Sequence, residues 1–309
     1  MKKLFIITAL ISCFLLTPLN VIAQEIGNQW ITYPQPDDSS QVWFRRTFVT
    51  QKRPKNARLA IASPGYIQVF INERNVSRDV LFSYPHQEGT DFSLMTVNIS
   101  RYLRNDSNTI AVWYAPNPAL ETDKQLSLCY FGTNSKGKPF ASYADGTWYC
   151  KKACGWANDS IEVYDATKYD KEWKWTTTNL SSWVHPFGST DQKKYRMSEK
   201  TNYYEAYHRT ATYSPTRTTT SKDTITYTFP KPFDGWIRLT IRNAKAGQKI
   251  NIGEFVYICS GETDEQACRK FTTSRLKEVR IWGKNLKKSM FQNVEGIEIQ
   301  PYIHTSWQN

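Results

Sequence analysis

Apolar and polar residues alternate with a period of two through almost every readable segment of this chain, and no long stretch repeats on a helical period. Such a pattern builds strands that bury one face and wet the other, so an all-β architecture of packed sheets is the fold class to expect. Val42-Trp43-Phe44-Arg45-Arg46-Thr47-Phe48, residues 58–62 and residues 66–71 are strand-like, and the polar Asn72-Glu73-Arg74-Asn75 is a turn before a strand starting at Val76. A strand ends at Asn98-Ile99-Ser100, a single turn buries Leu103, and a polar bend re-enters a strand through Ile110 and Val112. Residues 126–131, a turn over 132–137 and residues 145–150 read as a further strand pair. Residues 225–229, 235–241, 250–254, 279–282 and 292–299 alternate in the same way, whereas 216–223 is low in apolar residues and reads as an exposed loop.

The first residues carry a different signal. Lys2 and Lys3 precede an apolar run over 4–16, and Val21-Ile22-Ala23 offers a small-residue cleavage site ahead of Gln24. Residues 1–23 therefore read as a signal peptide, which implies export to the periplasm or the medium. Leu10-Ile11-Ser12-Cys13 resembles a lipobox, so a lipoprotein is the lesser alternative. The apolar run is too short to span a bilayer, and nothing later is longer. The remaining 286 residues hold 38 basic against 28 acidic side chains, a net charge of +10. The basic residues are scattered, so solubility or an acidic polysaccharide accounts for them better than nucleic acid does.

Removing the signal also removes Cys13 and leaves Cys129, Cys150, Cys154, Cys259 and Cys268. In an oxidising compartment, Cys259 and Cys268 are expected to close the polar loop between them. Cys150 and Cys154 pair with each other or with Cys129, and one thiol is left over. The Cys150-x₃-Cys154 spacing has no second ligand pair nearby, so it does not read as zinc.

Two phrases sharpen the expectation. Phe233-Asp234-Gly235-Trp236-Ile237-Arg238-Leu239-Thr240-Ile241 runs on through Gly247 to Ile252-Gly253-Glu254, and Ile161-Glu162-Val163-Tyr164-Asp165-Ala166 with Trp173-Lys174-Trp175 lies upstream. These phrases, and the order of the strand segments around them, resemble the non-catalytic region that precedes the catalytic barrel of bacterial α-L-rhamnosidases. That resemblance implies a galactose-binding-like jelly roll over 24–187, a linker over 188–201 and a second, smaller β-sandwich over 202–309. The family's catalytic carboxylates sit on the helical barrel, which does not follow here, so the resemblance implies carbohydrate handling without cleavage and transfers no catalytic residue. Some relatives bind rhamnose in the first module, in cases with calcium. A glycan containing rhamnose, or uronic acid to match the basic balance, is the expected partner; no cofactor is expected, with calcium as the alternative to test. Two departures stand out. Glu73-Arg74 occupy the place of the family's Asn-Gly turn, which implies a turn of another type, and residues 293–299 lack the family's closing Phe-Arg-Tyr run.

Chemistry is sparse. Asp159, Glu162, Asp165, Asp170 and Glu172 are close in sequence and could supply an acid–base pair, but clustered carboxylates are usually solvated. No Gly-x-Ser-x-Gly elbow and no Gly-rich phosphate loop occurs. Trp43, Trp113, Trp148 and Trp236 fall on alternating strands and read as core. Trp156, Trp173, Trp175, Trp183, Tyr203, Tyr204 and Tyr207 lie among polar residues, where they form either an exposed aromatic platform for a sugar ring or packing between the two domains. Arg45, Arg46 and Arg78 are candidates for a uronate carboxylate, with alternation leaving at least one of the first two at the surface. The leading expectation is thus a non-catalytic carbohydrate-binding protein. The alternatives are a hydrolase or lyase working on the sandwich, a remnant of a longer rhamnosidase, and a structural module that docks on another glycan-degrading protein.

Overall fold

The computed structural model describes residues 29–35, 37, 39–77, 80–82, 94–117, 124–158, 161–189 and 203–305. Residues 1–23, Arg78, Asp159 and most of the expected linker lie outside that set. The described residues form twenty strands and three single 3₁₀ turns, with no longer helix among them. The first twelve strands are β1 (Trp30–Thr32), β2 (Ser40–Val49), β3 (Lys55–Ala62), β4 (Tyr66–Ile71), β5 (Arg74–Asn75), β6 (Met95–Asn98), β7 (Ser107–Ala115), β8 (Gln125–Thr133), β9 (Pro139–Tyr143), β10 (Tyr149–Asn158), β11 (Ile161–Asp165) and β12 (Phe187–Ser189). The remainder are β13 (Tyr203–Tyr213), β14 (Arg217–Ser221), β15 (Thr224–Arg242), β16 (Lys249–Ile252), β17 (Phe255–Ile258), β18 (Asp264–Cys268), β19 (Ser274–Gly283) and β20 (Phe291–Thr305). No helix among the described residues is long and apolar enough to cross a membrane.

Two sheets result. One runs β12-β1-β8-β3-β6 with β9 beside β8, and the other runs β13-β20-β15-β19-β16-β17-β11-β10-β2-β7-β4-β5. In the amino-terminal half the first sheet faces β2, β4 and β7 across a core of Ile31, Val42, Phe44, Leu59, Ile61, Val69, Val112, Leu128 and Tyr130. The 3₁₀ turn after β6 seals one end of this sandwich, burying Ile99 and Leu103. Buried Asn72 ties that end together. Its Nδ2 donates to Tyr102 O and Asn108 Oδ1, and its Oδ1 accepts from Thr109 N.

In the carboxy-terminal half, β15 does most of the building. Its first part pairs with β14 and β19, and its second part pairs with β18 and β20. The register slips between Thr228 and Phe233, where Pro230 and Pro232 remove ladder donors, and both parts then share one core with Ile250, Phe255, Val279 and Ile281. Gly235 sits where the partner strands change. A Cβ there would lie 1.9 Å from Ile297 O, so only glycine allows β20 this close. The halves meet in one continuous sheet, because β11 pairs in parallel with β17 from Glu162↔Phe255 to Asp165↔Ile258.

Several expectations change in the structure. The hairpin survives: the Asn72-Glu73 turn has φ of 47° and 74°, the two positive values of a type I′ turn, adopted here with Glu73 where glycine is favoured. β8 forms its hairpin with β9, not with residues 145–150; of the latter, Tyr149 and Cys150 open β10, which pairs with β2 in the other sheet. The stretch 216–223, expected as a loop, holds β14. Its threonines are exposed but β-prone, and they pair with β15. Gly188 and Ser189, expected in the linker, pair with Ile31 and Trp30.

Neither expected disulfide forms, and all five described cysteines are free. Cys259 lies in the carboxy-terminal core, whereas Cys268 packs on the other face of the sheet against Trp236, Ile297 and Ile299. Cys150 and Cys154 are likewise split between the amino-terminal core and the opposite face of β10. A disulfide needs Cβ atoms about 3.5–4.5 Å apart and pointing together, which opposite faces forbid. Burial pushes the Cys150, Cys154 and Cys259 thiols up to about 12. Iodoacetamide at mildly alkaline pH is therefore expected to leave these three unmodified in the native protein, and dithiothreitol to leave the melting temperature unchanged. A clear drop in melting temperature on reduction would show that a bridge exists.

Candidate functional site

The aromatic residues expected as a platform are mostly the lining of a seam. Residues 166–187 cross the outer face of β2 and β7 and cover it. Trp173 is fully buried, stacked on Trp43 at 5.2 Å and meeting Phe70 and Trp113 edge-on at 5.2 and 5.9 Å. Trp183 is buried with the Arg45 guanidinium and the Lys151 ammonium each 5.7 Å from its ring. Arg45 is itself buried. Its Nη2 donates to Trp175 O at 2.5 Å and to Thr47 Oγ1 at 3.3 Å, its Nη1 has no partner among the described residues, and burial lowers its pKa to about 10. Alternation placed one of Arg45 and Arg46 at the surface, but the crossing segment covers Arg45 while Arg46 pairs with Asp145 at 3.2 Å.

The structure thus brings Trp173, Trp183 and Arg45 together but withdraws them from any ligand. Trp156 is half-buried with Lys168 Nζ 5.7 Å from its ring, and Tyr207 packs beside Trp236, Ile297 and Ile299. Trp175 remains 40% exposed. The Tyr203 and Tyr204 side chains lie outside the described residues. Trp43, Trp113, Trp148 and Trp236 are buried, as alternation predicts.

The carboxylates do not form an acid–base pair either. Glu162 is buried and accepts from the backbone N–H groups of Lys270, Phe271 and Thr272 at 3.0–3.2 Å and from Thr272 Oγ1 at 2.9 Å. Successive N–H groups aimed at one carboxylate make an anion nest, here filled by the protein's own side chain. The bond holds Phe271 against Trp113 at 5.9 Å and Lys270 Nζ over the rings of Trp113 and Tyr164 at 5.5 and 5.1 Å. Asp165 caps the following 3₁₀ turn through Thr167 N, and Asp170 pairs with Lys151. Among the described residues no three His, Cys, Asp or Glu side chains converge to hold a metal.

A large open concavity with binding chemistry lies at the far end of the carboxy-terminal half. It is a groove of about 1480 Å³ where the two ends of β15, at Thr224 and Arg242, come together with the turns that follow β15 and β19. Val279 and Ile281 point into the core, so the period of two turns Trp282 outward, and its indole is 50% exposed on the groove wall. Asn251 Nδ2 donates to Trp282 O at 3.1 Å and fixes the backbone beneath it. Gln248 bridges the two turns, its Nε2 donating to Lys284 O and its Oε1 accepting from Lys245 N, both at 3.1 Å. Asn243 and Asn285 hold left-handed conformations, φ 55° and 59°, that place them on the rim. Arg242 is occupied by Asp264 at 2.7 and 3.1 Å. An exposed indole beside amides and ammonium groups can stack a pyranose ring and hydrogen-bond its hydroxyls. Sequence reading placed Trp282 at the end of a strand without weighing it as a ligand. Its outward register after Val279 and Ile281, and the run Lys284-Asn285-Leu286-Lys287-Lys288, were the available signals.

The architecture is that of an all-β sandwich protein whose two halves share a sheet, and known structures have it. It superposes on the α-L-rhamnosidase of Dictyoglumus thermophilum with a TM-score of 0.80 at 19% identity, over 89% of this chain and 36% of that one. The Streptomyces avermitilis α-L-rhamnosidase complexed with L-rhamnose gives 0.76 at 16% identity, over 86% of this chain and 29% of that one. The Aspergillus terreus α-L-rhamnosidase gives 0.74 at 17% identity, over 89% and 36%. The chain thus spans about a third of the length of these enzymes, and the fold anticipated from the Phe233–Glu254 phrase is the fold observed. No family model and no curated protein matches the sequence.

Proposed function

We propose that the protein is an exported, non-catalytic carbohydrate-binding protein and that the groove around Trp282 is its binding site. The observation that carries this reading is a half-exposed tryptophan set in a large groove beside neutral amides and lysines. Isolated apolar exposure is ordinary on protein surfaces, but an indole in a concave polar setting is the arrangement that grips a flat sugar face. The shared fold with α-L-rhamnosidases supports a glycan context, and the basic-apolar pattern of residues 1–23 supports export. Rhamnose-containing glycans belong in the first screen because one of the similar enzymes was solved with L-rhamnose.

The test is a glycan array followed by calorimetry on residues 24–309, with calcium and then with chelator. Trp282→Ala is expected to weaken binding by about 2 kcal/mol, roughly thirtyfold in Kd, with unchanged melting temperature. Full affinity in that variant would move the site away from the groove. Loss of binding with chelator would add calcium to it.

A further inference from the structure

We infer that the groove takes an acidic glycan, a polymer whose sugars carry carboxylate or sulfate groups; this inference rests on the reading of the groove as a glycan site. Lys245, Lys249, Lys284 and Lys287 stand around Trp282, all exposed. They come from three places in the fold: the turn after β15, the start of β16 and the turn after β19. None of the four pairs with a carboxylate among the described residues, whereas Arg242 on the same rim is neutralised by Asp264. Asp223 is the one acidic residue among the described residues that line the groove.

Some lysines elsewhere, Lys124, Lys151, Lys168, Lys171 and Lys231, contact an aspartate or glutamate and others do not; what distinguishes these four is that they gather on one rim around an exposed indole. Four unpaired ammonium groups on a concave rim repel one another, and the concavity concentrates their field, so an anion entering between them is drawn in and relieves that repulsion. The net positive charge of the chain adds long-range attraction of the same sign.

The chemistry also says which polyanion fits. Single-stranded nucleic acid sites stack several bases on several aromatics and use arginine, whereas this groove offers one indole, and its arginine is already engaged. Point-like ammonium groups spaced around one ring-stacking surface suit one charged group per sugar, with Asn243 and Asn285 left for hydroxyls. The volume exceeds the roughly 300–1,000 Å³ of a site for one drug-sized molecule, which suits a run of several sugars.

Binding of the full chain would be measured for polygalacturonate and its methyl ester, for dextran sulfate and dextran, and for poly-L-glutamate. We expect the acidic polymers to bind at least tenfold more tightly than their neutral counterparts, with affinity falling about tenfold as salt rises from about 50 to about 200 mM. The triple variant K245Q/K284Q/K287Q should lose about tenfold for the acidic polymer, with unchanged melting temperature, and arginine at the same three positions should restore most of it. Preference for polygalacturonate over dextran sulfate, or the reverse, supports the inference and identifies the anion. Equal binding of the methyl ester overturns it and leaves the glycan reading intact. Equal binding of poly-L-glutamate overturns it by showing a groove indifferent to sugar. Failure to bind any of the polysaccharides overturns both.

Discussion

Trp113→Ala should cost about 3–5 kcal/mol of folding stability, the range for removing a large buried aromatic. Trp113 is the hub of the seam. Its ring lies 5.7 Å from Trp43, 5.9 Å from Trp173, 5.9 Å from Phe271, 6.2 Å from Tyr164 and 6.3 Å from Tyr169. Its Nε1 donates to Gln41 Oε1 at 2.8 Å, so the truncation also strands a buried amide oxygen. Trp113→Phe keeps part of the packing and loses the hydrogen bond, so it should fall between the two. Denaturant unfolding measures both, and an alanine variant within about 1 kcal/mol of the parent would mean that the seam holds little of the fold.

Glu162→Ala should be comparably damaging, at about 3–5 kcal/mol, because it leaves a row of inward-facing donors without an acceptor. Glu162→Gln distinguishes charge from shape. All three backbone N–H groups and Thr272 Oγ1 reach Oε2, and only Lys270 N reaches Oε1, so the amide can keep its oxygen in the nest with its NH₂ against Lys270 N alone, and it should recover much of the loss. Hydrogen exchange at Lys270, Phe271 and Thr272 reads the effect locally: these amides should be slow in the parent, fast in the alanine variant and intermediate in the glutamine variant. Slow exchange in the alanine variant would show that the loop holds its shape without the carboxylate.

The sequence carried the fold further than the site. Period-two alternation located most strands, and the Phe233–Glu254 phrase pointed to the right architecture at an identity where similar structures share only the fold. What alternation could not reveal was a second layer of chain on an outer face. Arg45 points away from the amino-terminal core, so it reads as a ligand candidate until residues 166–187 are seen to cover it, and Trp43, expected to be buried, is buried by that same cover on the outer face. The cysteines failed for a related reason. Spacing in sequence says that two thiols can reach each other, but the faces on which Cys259 and Cys268 lie depend on the local register. Trp282 was legible in principle, since Val279 and Ile281 determine which way it points. The groove beside it was not, because it forms from the two ends of β15, 18 residues apart, and two turns that no local pattern brings together.

The parallel contact of β11 with β17 alters what it means for this chain to be divided. Wherever a protease cuts between Ser189 and Tyr203, each fragment keeps its own core but bares a matching strand edge, the nest on one side and Glu162 on the other. The fragments are therefore complementary ligands for each other, and a nicked protein should stay together as a non-covalent pair. Bare edges of this kind also pair with copies of themselves. An isolated half would then report on its own aggregation before it reported on its sugar.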